Sequence, residues 1–229
     1  MDRSGLWAVL PVKDLPHAKQ RLAGVLGAQE RQKLAAAMLE DVLCALAASA
    51  DLAGVMLVTT DPEARRLAAR YGARVLLETA NRGHTAASEL GARTLARQGA
   101  AGMVQVPADI PLVMPEDIAV LLRVQEAAPA VVLAPSRDGR GTNAVACSPP
   151  DALPLGFGED SFLPHLRRAR ALGIEPQIVR RPGLALDIDT PDDLATFLAA
   201  RSATRTYACL AESGIAARLR CCEPGRARG

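Results

Sequence analysis

Aromatic residues are scarce in this chain: one Trp, two Tyr and three Phe among 229 residues, 3% against a hydrophobic share of 49%. A core with so few rings must be filled by Leu, Val, Ala and Ile, a composition suited to buried parallel strands covered by helices. No apolar run approaches the roughly 18 residues of a membrane-spanning helix, so no membrane partner is expected. The opening MDRSGLW lacks the form of a signal peptide, and a cytoplasmic location is expected. Cysteines 44, 147, 209, 221 and 222 are odd in number and have no CxxC or Cys/His spacing, which excludes a sulfur-held zinc site and predicts reduced thiols. A strong charge of one sign is missing too. Six of 27 basic and two of 25 acidic residues lie in 201–229, so the preceding body is slightly acidic, which argues against general nucleic-acid binding. GxxxxGK[ST], GxGxxG, GxSxG and HExxH are all absent, which disfavours a P-loop, nicotinamide binding, a hydrolase elbow and a zinc protease.

What is present is a rhythm. Short β-branched runs occupy 6–12, 53–60, 73–78, 102–109, 130–136, 143–147 and 184–189, with helical patterns between most of them. In 29–49, Leu34, Met38, Val42 and Leu46 fall four apart on one helical face. Alternation of this kind predicts an α/β fold with a mostly parallel sheet flanked by helices. The length suits one such domain, placed at residues 1–202, followed by a flexible Arg- and Cys-containing tail at 203–229.

The stretch LALDIDTPDDL, 184–194, reads as a strand ending in Asp187 and Asp189, then a helix with Thr190 as N-cap and Pro191 in its first turn. TTDPEA and LVMPEDI repeat this pattern of proline and first-turn acids, which complement a helix dipole. VPADIPLV places Asp109 at another strand end. Open α/β sheets bind ligands outside their strands' carboxyl ends, so Asp109, Asp187 and Asp189 could converge on a hard cation such as Mg²⁺. The alternative is that one acid merely caps a helix or turn. PVKDLPHAKQRL, after the first strand, supplies Lys13, Lys19 and Arg21, suited to a polyphosphate; a solvated basic helix start is the competing account. DGRGTNAVAC presents Arg140, Thr142 and Asn143, and FGEDSFLPHL presents Gly158, Ser161 and His165. A turn with an N-capping Ser and a packed His would explain both without a ligand.

WAVLPVK with AKQRL, PADIPL, GTNA, FGEDSF and LDIDTPDDL, in this order over 6 to about 198, resemble the CofC/FbiD family of guanylyltransferases. The resemblance implies a Rossmann-like nucleotidyltransferase fold, GTP with Mg²⁺, and a role in coenzyme F-420 biosynthesis. The implied acceptor is a small phosphorylated acid: 2-phospho-L-lactate, phosphoenolpyruvate or 3-phospho-D-glycerate. By matching position, Asp109, Asp187 and Asp189 resemble the family's metal ligands, and Thr142, Gly158 and Ser161 its acceptor-binding residues. Lys13, Lys19 and Arg21 would steady the departing pyrophosphate. ETANRGHT, 78–85, departs from the family's Gly-Leu-Asn segment; Asn81 and His84 are placed there as nucleotide-binding, and RGHT favours 3-phospho-D-glycerate. A monomer or homodimer is expected. Competing readings are a molybdenum-cofactor or sugar nucleotidyltransferase, whose glycine-rich LAGGxSxRMG-like loop is missing here, and a non-catalytic GTP-binding regulatory module, which would not need three aspartates.

Overall fold

Six of the seven apolar runs form strands in the computed structural model, which describes residues 5–78, 82–123, 128–215 and 218. They are β1 (Leu6–Pro11), β2 (Gly54–Thr59), β3 (Arg74–Leu77), β4 (Gly102–Gln105), β5 (Ala130–Pro135) and β6 (Thr142–Ser148). A two-residue strand, β7 (Gln177–Ile178), completes a sheet of order β3-β2-β1-β4-β6-β5-β7. β1 runs parallel to β2 and β4, and β2 to β3, as expected of near-continuous apolar strands. β6 is reversed against both of its neighbours. Its first residues therefore lie near the carboxyl end of β4, which matters for the site.

The helices are α1 (Ala28–Ala47), α2 (Pro62–Arg70), α3 (His84–Arg97), α4 (Pro115–Arg123), α5 (Phe162–Ala171), α6 (Pro182–Ala185), α7 (Pro191–Ala199) and α8 (Arg205–Glu212). Alternation along the strands divides the core. Ala8, Leu10, Val104, Ala144 and Ala146 face α1, α2, α4, α7 and α8, while Trp7, Val9, Met103, Val145 and Cys147 face α3 and α5. The stripe Leu34, Met38, Val42 and Leu46 of α1 is fully buried, as its spacing predicts. Gly91 lets α3 lie close to β1, since a Cβ there would meet Val9 at 2.5 Å. The proline-and-acid helix starts form as read: Asp61 accepts from the Ala64 N–H at 2.8 Å, and Thr190 and Asp193 make a reciprocal capping box.

Two expectations are corrected. Residues 184–189 do not form a strand; α6 ends at Ala185 and an extended loop follows. Leu184 in α6 and Leu186 and Ile188 in the loop are buried in alternation all the same, so the period of two reported alternate burial on the core without a sheet ladder. Nor is the segment after 203 free throughout. α8 packs on α1, with Leu210 and Ile215 buried, and Asp41 accepts from Arg205 N, Thr206 N and Thr206 Oγ1 at 2.8, 2.8 and 2.6 Å. Its anchoring bonds join residues 164 and 165 positions apart, which no local pattern reports. Cys44, Cys147 and Cys209 carry free thiols, as expected of reduced cysteines; Cys221 and Cys222 lie outside the described residues.

Candidate active site

The loop after β1 is fixed before it reaches the site. Val12 N donates to Val58 O at 2.9 Å, and Leu15 N donates to Asp61 Oδ2 at 3.0 Å, so the cap of α2 also anchors the loop carrying Lys13. Asp61 was not singled out from the sequence, because the bond that ties it to this loop spans 46 residues. Lys19 follows in the left-handed region, at φ 55°, a conformation that costs free energy for a residue with a Cβ and recurs at functional sites. From there its ammonium donates to Asp109 Oδ2 at 2.6 Å and Asp189 Oδ1 at 2.7 Å.

The two aspartates arrive from different directions. Asp109 lies in the turn beyond β4, and its carbonyl accepts from Ile188 N at 3.0 Å, which seats the 186–189 loop beside it. Asp187 turns to Asn143 at the start of β6, where Nδ2 donates to Leu184 O, Ala185 O and Asp187 Oδ1 at 2.9, 3.1 and 3.2 Å. The β5–β6 register shifts there: Pro135 pairs with Thr142 while Ala134 pairs with Ala144, leaving Asn143 as the extra residue of a bulge. Bulges re-aim side chains beside sites. Here Asn143 reaches the acidic loop while Thr142 reaches α5.

Electrostatics follow from this packing. Burial lowers the affinity of Lys19 for its proton, but the charges and hydrogen bonds of Asp109 and Asp189 outweigh it and hold the ammonium above its ordinary value. Burial pushes the Asp189 carboxyl up, yet Lys19, Arg21 and Lys13 together hold it below the usual range. Asp187 is pushed up, by burial first and then by the charge of Asp109. Among the described residues no group of three or more His, Cys, Asp or Glu side chains is assembled to hold a metal. Asp109 and Asp189 converge on Lys19, and Asp187 stands beside them on Asn143.

These groups open on a cleft of about 520 Å³ lined by Lys13, Lys19, His84, Asp109 and Asp189, with Pro11–Leu15 and Met38. His84 begins α3 behind Gly83, at φ 94°. Gln105 Nε2 lies 3.0 Å from His84 Nε2, and burial lowers the imidazole to about 4. Arg21 is half exposed and pairs with Glu159 instead of lining the cleft. Asn81 lies outside the described residues.

Thr142 and Ser161 meet on one side of β6. Ser161 does not cap α5 with its side chain; its Oγ accepts from Thr142 N at 3.0 Å. Thr142 Oγ1 lies 3.0 Å from His165 Nδ1, and His165 Nε2 accepts from Gly156 N at 3.0 Å. Gly158 lies in the exposed turn between, with open space where a Cβ would stand. Phe157, which sequence reasoning passed over, packs edge-on to His84 and His165 at 4.7 and 5.2 Å. None of Thr142, Gly158 and Ser161 lines the cleft itself.

Residues 6–228 match the family described as guanylyl transferase CofC like. The chain belongs to that family. It is 40% identical over 190 residues to a phosphoenolpyruvate guanylyltransferase of Rubrobacter xylanophilus, covering 83% of this chain and 92% of that one. It is 37% identical over 186 residues to a 3-phospho-D-glycerate guanylyltransferase of Colwellia psychrerythraea, covering 81% and 88%. A solved structure from Desulfovibrio desulfuricans G20 superposes with a TM-score of 0.77 at 19% identity over 94% and 98% of the chains. A nucleotidyl transferase from Methanothermobacter superposes with 0.61 at 17% over 84% and 95%. At these identities the solved structures speak for the Rossmann-like fold alone. Family membership makes the chain a nucleotidyltransferase, and the family match, ending at 228, takes in α8 as well.

Proposed function

We propose that the enzyme transfers GMP from GTP to a phosphorylated three-carbon acid and releases pyrophosphate, as a step of coenzyme F-420 biosynthesis. The observation that carries this is Lys19 held between Asp109 and Asp189 in the wall of the cleft, in a member of a guanylyl transferase family. Phosphoenolpyruvate and 3-phospho-D-glycerate are the acceptors favoured, because curated relatives at 40% and 37% identity are named for them.

The chemistry of the donors suits a divalent cation, although the three carboxylates are not gathered into one group. Asp109 and Asp189 are hard oxygen donors that already converge on one cationic centre, the Lys19 ammonium, and Asp187 adds a third carboxylate beside them. In this reading all three would hold Mg²⁺, which when bound neutralises charge on the triphosphate and on the departing pyrophosphate. A phosphate oxygen of the acceptor forms a bond to the α-phosphorus of GTP while the bond to the β-phosphate oxygen breaks. No protein nucleophile is required, since a phosphate with its second pKa near about 6 is largely ionised at neutral pH. The chain contributes position and charge. Lys13 and Lys19 hold phosphate oxygens, Arg21 assists once parted from Glu159, Thr142, Gly158 and Ser161 bind the acceptor, and His84, with Asn81, borders the nucleotide.

The test is pyrophosphate release from GTP and Mg²⁺ with each of phosphoenolpyruvate, 3-phospho-D-glycerate and 2-phospho-L-lactate. Turnover with one acid, dependent on GTP over CTP, is the expected result. Turnover only with CTP or a sugar phosphate would overturn it.

A further inference from the structure

The hydrogen bonds around His165 define which atom of Thr142 can meet a ligand. The backbone N–H of Gly156 can only donate, so His165 Nε2, 3.0 Å away, is an acceptor and carries no hydrogen. His165 is fully buried, and burial, with the Arg168 charge second, lowers its basicity to about 4, so the ring is neutral at physiological pH. A neutral imidazole with a bare Nε2 bears its hydrogen on Nδ1. That hydrogen is donated to Thr142 Oγ1 at 3.0 Å. The Thr142 hydroxyl, engaged as an acceptor, keeps its own hydrogen for another partner, and no other bond of this hydroxyl is present among the described residues. Ser161 is in the same condition: its Oγ accepts from Thr142 N at 3.0 Å, which leaves its hydrogen to donate.

We infer that His165 is a positioning residue for the acceptor, turning the Thr142 hydroxyl into an obligate donor which, with Ser161, selects a fully ionised carboxylate or phosphate. The inference rests on the reading of Thr142 and Ser161 as acceptor-binding. Two neutral donors suit such an anion because they satisfy its lone pairs without adding a charge beside Lys19 and the aspartates. The ring has little freedom to turn. Phe157 stands edge-on to it at 5.2 Å, and Phe157 N donates to Thr85 Oγ1 at 3.0 Å, so the 156–161 turn is tied to the first turn of α3.

Two substitutions separate the ring's atoms. In His165→Asn the side-chain amide can replace the Nδ1 donor, whereas in His165→Gln it extends toward the Nε2 position and leaves Thr142 without its donor. The readout is steady-state KM for GTP and for whichever of phosphoenolpyruvate or 3-phospho-D-glycerate supports pyrophosphate release. His165→Gln is expected to raise the acceptor KM about tenfold with the GTP KM within twofold of wild type, the size of one lost bond to a charged ligand. His165→Asn should recover most of that loss, and His165→Gln should add little in a Thr142→Val background. Equal effects of Asn and Gln, a parallel rise in both KM values, or additivity with Thr142→Val would overturn the inference alone. An unchanged acceptor KM in Thr142→Val itself would remove the acceptor-site reading, and the inference with it.

Discussion

Lys19 and Asp109, ninety residues apart in sequence, are joined at 2.6 Å through a lysine whose side chain is only 8% exposed. Removing the ammonium strands two carboxylates against each other. Lys19→Met should therefore destabilise the metal-free enzyme by roughly 2 kcal/mol, below the roughly 3–5 of a fully buried pair because the Asp189 side chain is 41% exposed. Adding Mg²⁺ should raise its melting temperature more than that of wild type. Equal shifts in the two proteins would show that the carboxylates do not share a cation.

Asp109→Asn and Asp189→Asn should each lower the rate of pyrophosphate release by more than the roughly 10–100-fold typical of changes one shell further out. Far-ultraviolet circular dichroism should be unchanged. Near-normal turnover in either variant would remove the aspartates from the chemistry.

Asn143 stitches the acidic loop to the sheet through three acceptors. Its replacement by Ala leaves Leu184 O and Ala185 O without this donor, at a cost of about 1–3 kcal/mol. Activity should fall with stability, since Asp187 loses its orientation. Denaturant melts read beside rates check this, and a stable, fully active Asn143→Ala protein would refute it.

Ending the chain after Ser202 removes α8 and uncovers α1. Leu210→Ala alone should cost about 2–5 kcal/mol, and Asp41→Ala should loosen the same helix by freeing Arg205 N and Thr206 N. Urea midpoints measure both. An unchanged midpoint for the chain ended after Ser202 would mean that α8 contributes nothing to the fold.

His165 gives stability a pH dependence of determined sign. Its folded pKa, about 4, lies below the ordinary 6.5, so between these values the unfolded chain binds more protons and stability rises with pH. The contribution is complete above about 6.5 and is lost as pH falls toward 4, amounting to about 3 kcal/mol at most. Melts of wild type and His165→Asn across this window should converge as pH drops.

Local signals carried much of this molecule and failed where a partner decides the structure. Six strands and the helix starts at Pro62, Pro115 and Pro191 follow from residue chemistry within a few positions. Lys13, Lys19, His84, Asp109 and Asp189 were all legible as candidates and line one cleft. The strand expected at 184–189 fails because alternation reports alternate burial, which a loop packed on the core shares with a strand. β6 looked like any other apolar run, since direction within a sheet leaves no mark on periodicity. Asp61 and Phe157 act through contacts with loops far away in sequence, beyond the reach of any local pattern.

The reversal of β6 has a consequence for how such an enzyme can diversify. Lys13 and Lys19, which follow β1, and Asp109, which follows β4, hang on strands that run one way, and Thr142 hangs on a hairpin that runs the other, joined to them through the β4–β6 pairing. The hairpin tip at 136–141 and the turn at 156–161 can thus change length or composition without shifting the register of β1 and β4. In the proposed reading, acceptor choice is carried by a part mounted apart from the strands that hold Lys19 and Asp109, an arrangement that suits relatives named for different acids and the same guanylyl transfer.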